Sequence, residues 1–451
     1  MRRLEAADFT YWFMDRGLGW SVVLQLIWTF PTRIPAAAIE AMNADLARGP
    51  LHRRVHEATV PIARPRWAHS ACSPAAMFDP GSVVRSQVLR WAADEMYAVR
   101  LDPRAGRQWR LRAIDLADGG TALSLCTLHL VADGQVFVAS AADAMAGRSA
   151  DPLPIAPPDS AAVRAADAID VVRQLAAVAT GVGRAVYETG RRRMLAARGA
   201  AADAGLPPDP RSGRTVPAAR APAARTRWAI VSVPAVQWKA VAQSHGGTVN
   251  VLFVAVIAGA LRSRWAHPAD EPLKVGIPVS QRTGATDERA NATAGVSVYL
   301  ADEVVAGGDL TAVRTLCKQA YARLAAGHRP PMIHLQPLMH VLPTSVVVKA
   351  ATAGTGIPDA LTSNIGSYGE DVLTLGGVRA DGLAFRGDAQ GVDPHLPYRF
   401  GDGLQSWFIE AGDTVTFSVA AFDESVVVDD DELRAMLAAE LDAWGLPHRI
   451  W

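Results

Sequence analysis

The alternation of apolar and polar positions divides the chain into segments of helical and of strand period. Residues 35–49, PAAAIEAMNADLARG, predict a helix entered by Pro35 and stopped by Gly49, whereas 108–116, QWRLRAIDL, alternate as a strand does. Asp118, Gly119 and Gly120 mark a turn. The apolar run after it, TALSLCTLHLVA, predicts a strand buried on both faces and ending near His129. Asp133 and Gly134 then form a loop, and QVFVASAADAMAG predicts the helix that follows.

The second half has the same texture. TRWAIVSVPAVQWKAVAQSHGG, from Thr226, predicts a strand followed by a helix. VNVLFVAVIAGAL, closed by Arg262 and Arg264, falls short of the roughly 20 residues a membrane-spanning helix requires and predicts a buried helix. LKVGIPVSQR predicts a strand that leaves Arg282 at its end. DTVTFSVAAFDESVV has strand character, and DDDELRAMLAAELDAWG predicts a closing helix whose leading aspartates suit its N-terminus. Between the halves, residues 197–226 are rich in Ala, Pro, Gly and Arg without hydrophobic period, which predicts a linker or long surface loop. The expected organisation is therefore an N-terminal lobe over 1–196, a linker over 197–226 and a C-terminal lobe over 227–451, both lobes α/β.

Composition narrows the function classes. The chain has 451 residues, half of them hydrophobic, which is ample for a sizeable buried core. Lys plus Arg equals Asp plus Glu at 45 each, so no overall field draws it to nucleic acid. Cys72, Cys126 and Cys317 show no CxxC spacing, which points away from a zinc site or disulfide framework and towards a reducing cytosol. The opening MRRLEAADFTYW places charged and polar residues where a secretion signal would need an apolar core.

His129 is the first candidate for chemistry. An imidazole with a pKa near 6.5 takes a proton at neutral pH, and a strand ending in a tight turn would aim one ring nitrogen into a cleft. Spacing alone leaves open whether it is a satisfied core histidine or a base. Asp133, beside Gly134, either partners the histidine or turns away to brace the loop; in the second case burial demands a cation, and Arg282 is the candidate. His52 and His56 have the i, i+4 spacing of a metal-binding helix but lack a third ligand, so a solvated basic segment is expected and no metal site. VVVDDDELRAML reads as a helix cap rather than a calcium loop. Neither a G-x-S-x-G elbow nor a Walker-type GK[ST] occurs. Residues 183–199, basic through Arg184, Arg191, Arg192, Arg193 and Arg198, predict a charged surface helix; peripheral contact with an anionic membrane is the alternative.

HLVADG at 129–134 matches the HxxxDG signature, and three further stretches agree in order. GGTVNVLFVAVIAGALRSR is similar to a TVND-type helix, VGIPVSQR to a PVSxR strand and LTSNIGSYGE to an SNxG segment. Together they resemble the chloramphenicol acetyltransferase-like superfamily, closest in pattern to the wax ester synthase/diacylglycerol acyltransferase and polyketide-associated acyltransferase families. The resemblance covers most of the chain. It implies two lobes, each a mixed sheet flanked by helices, with an active-site channel between them.

It also implies roles. His129 would be the general base, Asp133 and Arg282 a structural pair across the lobes, and Gly134 the residue that leaves room for substrate. Ser363 and Asn364, with Asn250, would bind substrate or steady an oxyanion. The implied reaction is acyl transfer from an acyl-CoA or phosphopantetheinyl carrier protein to a small-molecule or lipid alcohol, with no bound cofactor and no metal. An amide-forming condensation reaction and a non-catalytic module binding a carrier protein or lipid are the alternatives. Two positions depart from the pattern: Leu128 stands where many members have a first histidine, and Val251 where the TVND aspartate would be. Since the second histidine is the usual base, activity is expected to survive.

Overall fold

The computed structural model describes residues 2–70, 72–148, 160–197, 226–264, 271–284, 287–301, 304–329, 331–343, 345–347, 358–392, 403–424 and 426–451. Most of the expected linker, 198–225, lies outside them. In chain order the helices are α1 (Ala6–Phe13), α2 (Ala36–Leu46), α3 (Val88–Ala98), α4 (Gly134–Met145), α5 (Ala161–Ala197), α6 (Ala235–Ser244), α7 (Val249–Arg262), α8 (Thr311–Ala325) and α9 (Asp430–Ala443). The strands are β1 (Ser21–Phe30), β2 (Arg53–His56), β3 (Arg66–His69), β4 (Met77–Val83), β5 (Trp109–Leu116), β6 (Thr121–Leu128), β7 (Arg227–Pro234), β8 (Leu273–Ser280), β9 (Thr293–Leu300), β10 (Ala360–Tyr368), β11 (Thr374–Leu375), β12 (Val378–Arg379), β13 (Gly382–Gln390), β14 (Leu404–Ala411), β15 (Thr414–Ala421) and β16 (Arg449–Ile450).

Two mixed sheets organise these elements. One has the order β13-β1-β6-β5-β4 and the other β16-β7-β15-β14-β10-β8-β9. β6 is central in the first, paired antiparallel with β1 and β5, and all eight of its residues are buried. That explains its continuous apolar run, because a strand covered on both faces has no solvent side to alternate with. In the second lobe α7 contributes ten buried residues to the core around Phe408 and Phe417, so it is the buried helix its sequence predicts.

A strand from the C-terminal half completes the first sheet. β13, from the C-terminal half, pairs antiparallel with β1 from Ser21 opposite Gln390 to Thr29 opposite Gly382. Val23 to Phe30 of β1 are all buried, and an uncovered edge there would leave a row of unpaired backbone groups inside the core. β13 supplies their partners. The first sheet is thus built from the N-terminal half plus a strand drawn from beyond the linker in sequence.

The His52–His56 segment also differs from expectation. It forms β2, paired with β3, and His52 is buried with its Nε2 2.8 Å from the Cys72 carbonyl and its ring edge-on to His69 and Trp109. Neighbouring Arg53 is buried too, its guanidinium over the Trp67 ring. Within β2 it is Arg53 and Val55 that face inward, and His52 is buried just before the strand, so the segment is not a solvated helix face.

Candidate active site

His129 follows the last residue of β6, and its main-chain N–H donates to the Val22 carbonyl at 2.8 Å, extending the β1–β6 ladder by one step. The chain then turns. Asp133 accepts from the Val136 N–H through Oδ1 at 3.0 Å and so caps α4, the usual role of an aspartate at a helix start. With Oδ1 committed to the helix, Oδ2 faces the other lobe, where it accepts from Arg282 at 2.5 Å and from the Ala292 N–H at 3.0 Å. Asp133 therefore turns away from His129 and braces the loop.

Arg282 does more than neutralise Asp133. Its guanidinium also donates to the carbonyls of Asp287 and Arg289 at 3.0 Å each, which holds loop residues 287–292, ahead of β9, beside the end of β8. The Asp133 N–H donates to the Ala290 carbonyl at 2.9 Å. The loop is thereby fixed against the start of α4, and it carries Asn291.

Asn291 sets the protonation pattern of the imidazole. Its amide nitrogen donates to Asp8 Oδ1 at 3.0 Å and to the Leu130 carbonyl at 3.1 Å. Both partners are acceptors, so the amide oxygen must be the atom 3.0 Å from His129 Nδ1, and it can only accept. Nδ1 therefore carries the hydrogen and Nε2 holds the lone pair. Asp8, in α1, is itself held by the Glu5 N–H, the Trp67 indole and the Asn291 N–H. Burial pushes its carboxyl up, and those donors oppose the shift.

Tyr11, one turn further along α1, covers the ring. Its hydroxyl is 3.1 Å from Nε2, while the ring centroids are 4.1 Å apart and the planes 15° from parallel. An in-plane hydrogen bond would hold the two rings edge to edge and much further apart. The hydroxyl thus meets Nε2 from the ring's face, and the in-plane lone pair stays open. Burial lowers the His129 pKa below 6.5, opposed by the ring's interaction with its own main chain, the Asp133 charge and the Asn291 bond. The ring is neutral and able to accept a proton at neutral pH.

His129, Tyr11 and Asp133 line a cavity of 370 Å³ between the lobes, to which Pro278, Ser363 and Trp407 contribute from the other side. That volume suits a small-molecule or chain-like ligand. Gly134 sits where a Cβ would come within 2.7 Å of Ile365 Cδ1, so a larger residue there would push against the wall. Ser363 and Asn364 both line the cavity. Asn364 Oδ1 accepts from the Gly366 N–H at 2.9 Å, where Gly366 takes a positive φ of 123° at a β-bulge, which leaves the Asn364 amide nitrogen as the donor it can offer. Asn250 does not reach the cavity. Thr248 caps α7, and two residues on the Asn250 amide nitrogen donates to the Tyr321 hydroxyl at 2.7 Å; the helix phase directs it to α8.

Asp8, Tyr11 and Asn291 are the site residues that sequence reasoning passed over. Asp388 is a fourth, lining the cavity on β13. Burial pushes its carboxyl up to about 6, although the hydroxyls of Thr226 and Tyr97 and the nearby Arg386 help its charge. Among the described residues no three His, Cys, Asp or Glu side chains gather as metal ligands.

Neither a protein-family model nor a curated protein matches the chain. Solved structures do. The wax ester synthase/diacylglycerol acyltransferase from Marinobacter aquaeolei VT8 superposes with a TM-score of 0.56 at 16% identity, over 98% of this chain and 100% of that one. The condensation domain from Monacolin K polyketide synthase MokA gives 0.57 at 14% identity, over 98% and 96% of the two chains. Polyketide synthase associated protein 5 from Mycobacterium tuberculosis gives 0.54 at 14%, over 97% of each. At these identities the likeness is one of fold: the chain has the two-lobed, condensation-like acyltransferase fold.

Proposed function

We propose that the chain transfers an acyl group from an acyl-CoA or carrier-protein thioester to an alcohol, with His129 as general base. The observation that carries this reading is the tautomer imposed by Asn291, which holds the free lone pair of His129 on a cavity between two lobes of acyltransferase fold. Nε2 takes the proton of the acceptor hydroxyl as its oxygen attacks the thioester carbonyl. A C–O bond forms, the tetrahedral oxyanion collapses with cleavage of the C–S bond, and the departing thiolate takes the proton back from the imidazolium. Ser363 and the Asn364 amide nitrogen are the donors offered to the oxyanion. Asp133 and Arg282 act through the loop, not on substrate.

The test is product analysis by mass spectrometry after incubating the protein with a panel of acyl-CoA and acyl-carrier-protein thioesters and matched alcohol and amine acceptors. Ester above the uncatalysed background is expected. Amide alone would overturn the choice of acceptor, and no turnover of any thioester would leave a binding protein in place of an enzyme.

Two further results are expected in the same assay. Only the neutral ring is a base and burial favours the neutral ring, so kcat/KM holds as pH falls to 6.5 and is lost below it. Asn291→Ala removes one hydrogen bond to the imidazole, worth about 1.4 kcal/mol or roughly tenfold in kcat. Because that bond also favours the charged ring, the acidic limb of the variant moves to lower pH; a move to higher pH would contradict the assigned geometry.

A further inference from the structure

The outward face of α5 carries a second site of a different kind. The helix has 37 residues and is about 55 Å long at 1.5 Å per residue. Its inward side packs along the 3-10 segment Pro331–His340 and on the region around Thr59 and Arg64. There Asp167 and Asp170 are buried in salt bridges with Arg3, Arg64 and Arg66.

The opposite side inverts what a surface helix should show. At 3.6 residues per turn, Ala165, Ile169, Val172, Ala176, Ala179 and Val186 fall on one line, and all are exposed. Val172 is 67% exposed and Val186 68%. From Ala161 to Gly190 this outward third of the helix has no charged residue, and its one polar group is the Tyr187 hydroxyl. A surface helix normally turns charge outward, and a contiguous exposed apolar strip of this length marks an interaction surface.

The charges beside the strip are of one sign. Arg173, Arg184 and Arg191 lie along one flank and Arg164 along the other, with Arg193 at the end, all exposed. The third acidic residue of α5, Glu188, is paired with His334. An apolar strip bordered by exposed arginines complements a surface that is apolar within and anionic at its rim. No single helix among the described residues is long and apolar enough to cross a membrane. We propose that α5 lies flat on an anionic lipid surface, with Val172 and Val186 in the acyl boundary and the flanking arginines among the headgroups.

The experiment is flotation of the full chain with vesicles of phosphatidylcholine alone and of equal parts phosphatidylcholine and phosphatidylglycerol, at low and high salt. Binding to the anionic vesicles that weakens with salt is expected. Val172→Glu and Val186→Glu should each lower the vesicle partition about tenfold, since burying one valine contributes of that order. Arg173→Gln and Arg184→Gln should each lower it about fivefold at low salt, from about 1 kcal/mol per basic residue. All four side chains are exposed and remote from the cavity, so circular dichroism and thioester turnover in solution should not change. Equal binding to both vesicles, or to neither, would overturn the proposal. So would a dimer that Val172→Glu dissolves, which would make the strip a contact between two copies of the chain.

Discussion

His129→Ala lowers acyl transfer by about 10² to 10⁴ while leaving the fold intact. That range is what a positioned general base contributes, and neither of the two cavity groups nearest His129, Asp133 and Tyr11, can substitute for it. Asp133 has both carboxylate oxygens committed, to α4 and to the other lobe. The Tyr11 hydroxyl is a poor replacement, because burial pushes its pKa far above the usual phenol value. The measurement is single-turnover thioester consumption, with circular dichroism as the control for folding. A variant that retained the parent rate would remove His129 from the mechanism and leave only the fold.

Arg282→Ala has its largest effect on stability. The side chains of Arg282 and Asp133 are 13% and 6% exposed, and removing one member of a buried pair typically costs about 3 to 5 kcal/mol because the remaining charge is stranded. The same substitution releases residues 287–292, which carry Asn291, so activity falls with it. Equilibrium denaturation would show a lower midpoint at an unchanged slope. Arg282→Lys separates the two roles. A lysine ammonium can still neutralise Asp133, but it lacks the planar fork that reaches the Asp287 and Arg289 carbonyls at the same time, so stability should return in part and the rate should not. Equal recovery of both would show that the loop needs no such clamp.

The positions of His129 and Asp133 stood out in the sequence for a local reason, whereas the role of His129 as a base came only from the HxxxDG resemblance. A buried strand writes a continuous apolar run, a polar residue that interrupts its end stands out, and an aspartate beside a glycine at a helix start is a strong capping signal. Arg282 followed from the requirement that a buried carboxylate find a cation. Asp8, Tyr11 and Asn291 carry no such mark. Asn291 touches Asp8 across 283 positions of sequence and His129 across 162, and no periodicity encodes a contact made only when α1 and a loop of the other lobe meet. Asn250 failed for the opposite reason: its neighbours match a motif, but the cap at Thr248 sets a helix phase that turns it into the C-terminal core. The exposed strip on α5 was half legible, since the arginines from 184 onwards stood out as a block while the apolar line beside them needed the buried face to be known before the other could be seen as open.

β13 decides how firmly the two halves of the molecule are held together. Two halves joined only by a tether could gape like a clamshell. Here a ribbon from one half is woven into the fabric of the other, with nine consecutive residues, Ser21 to Thr29, paired along it. Cutting the chain between the halves would therefore not let them drift apart.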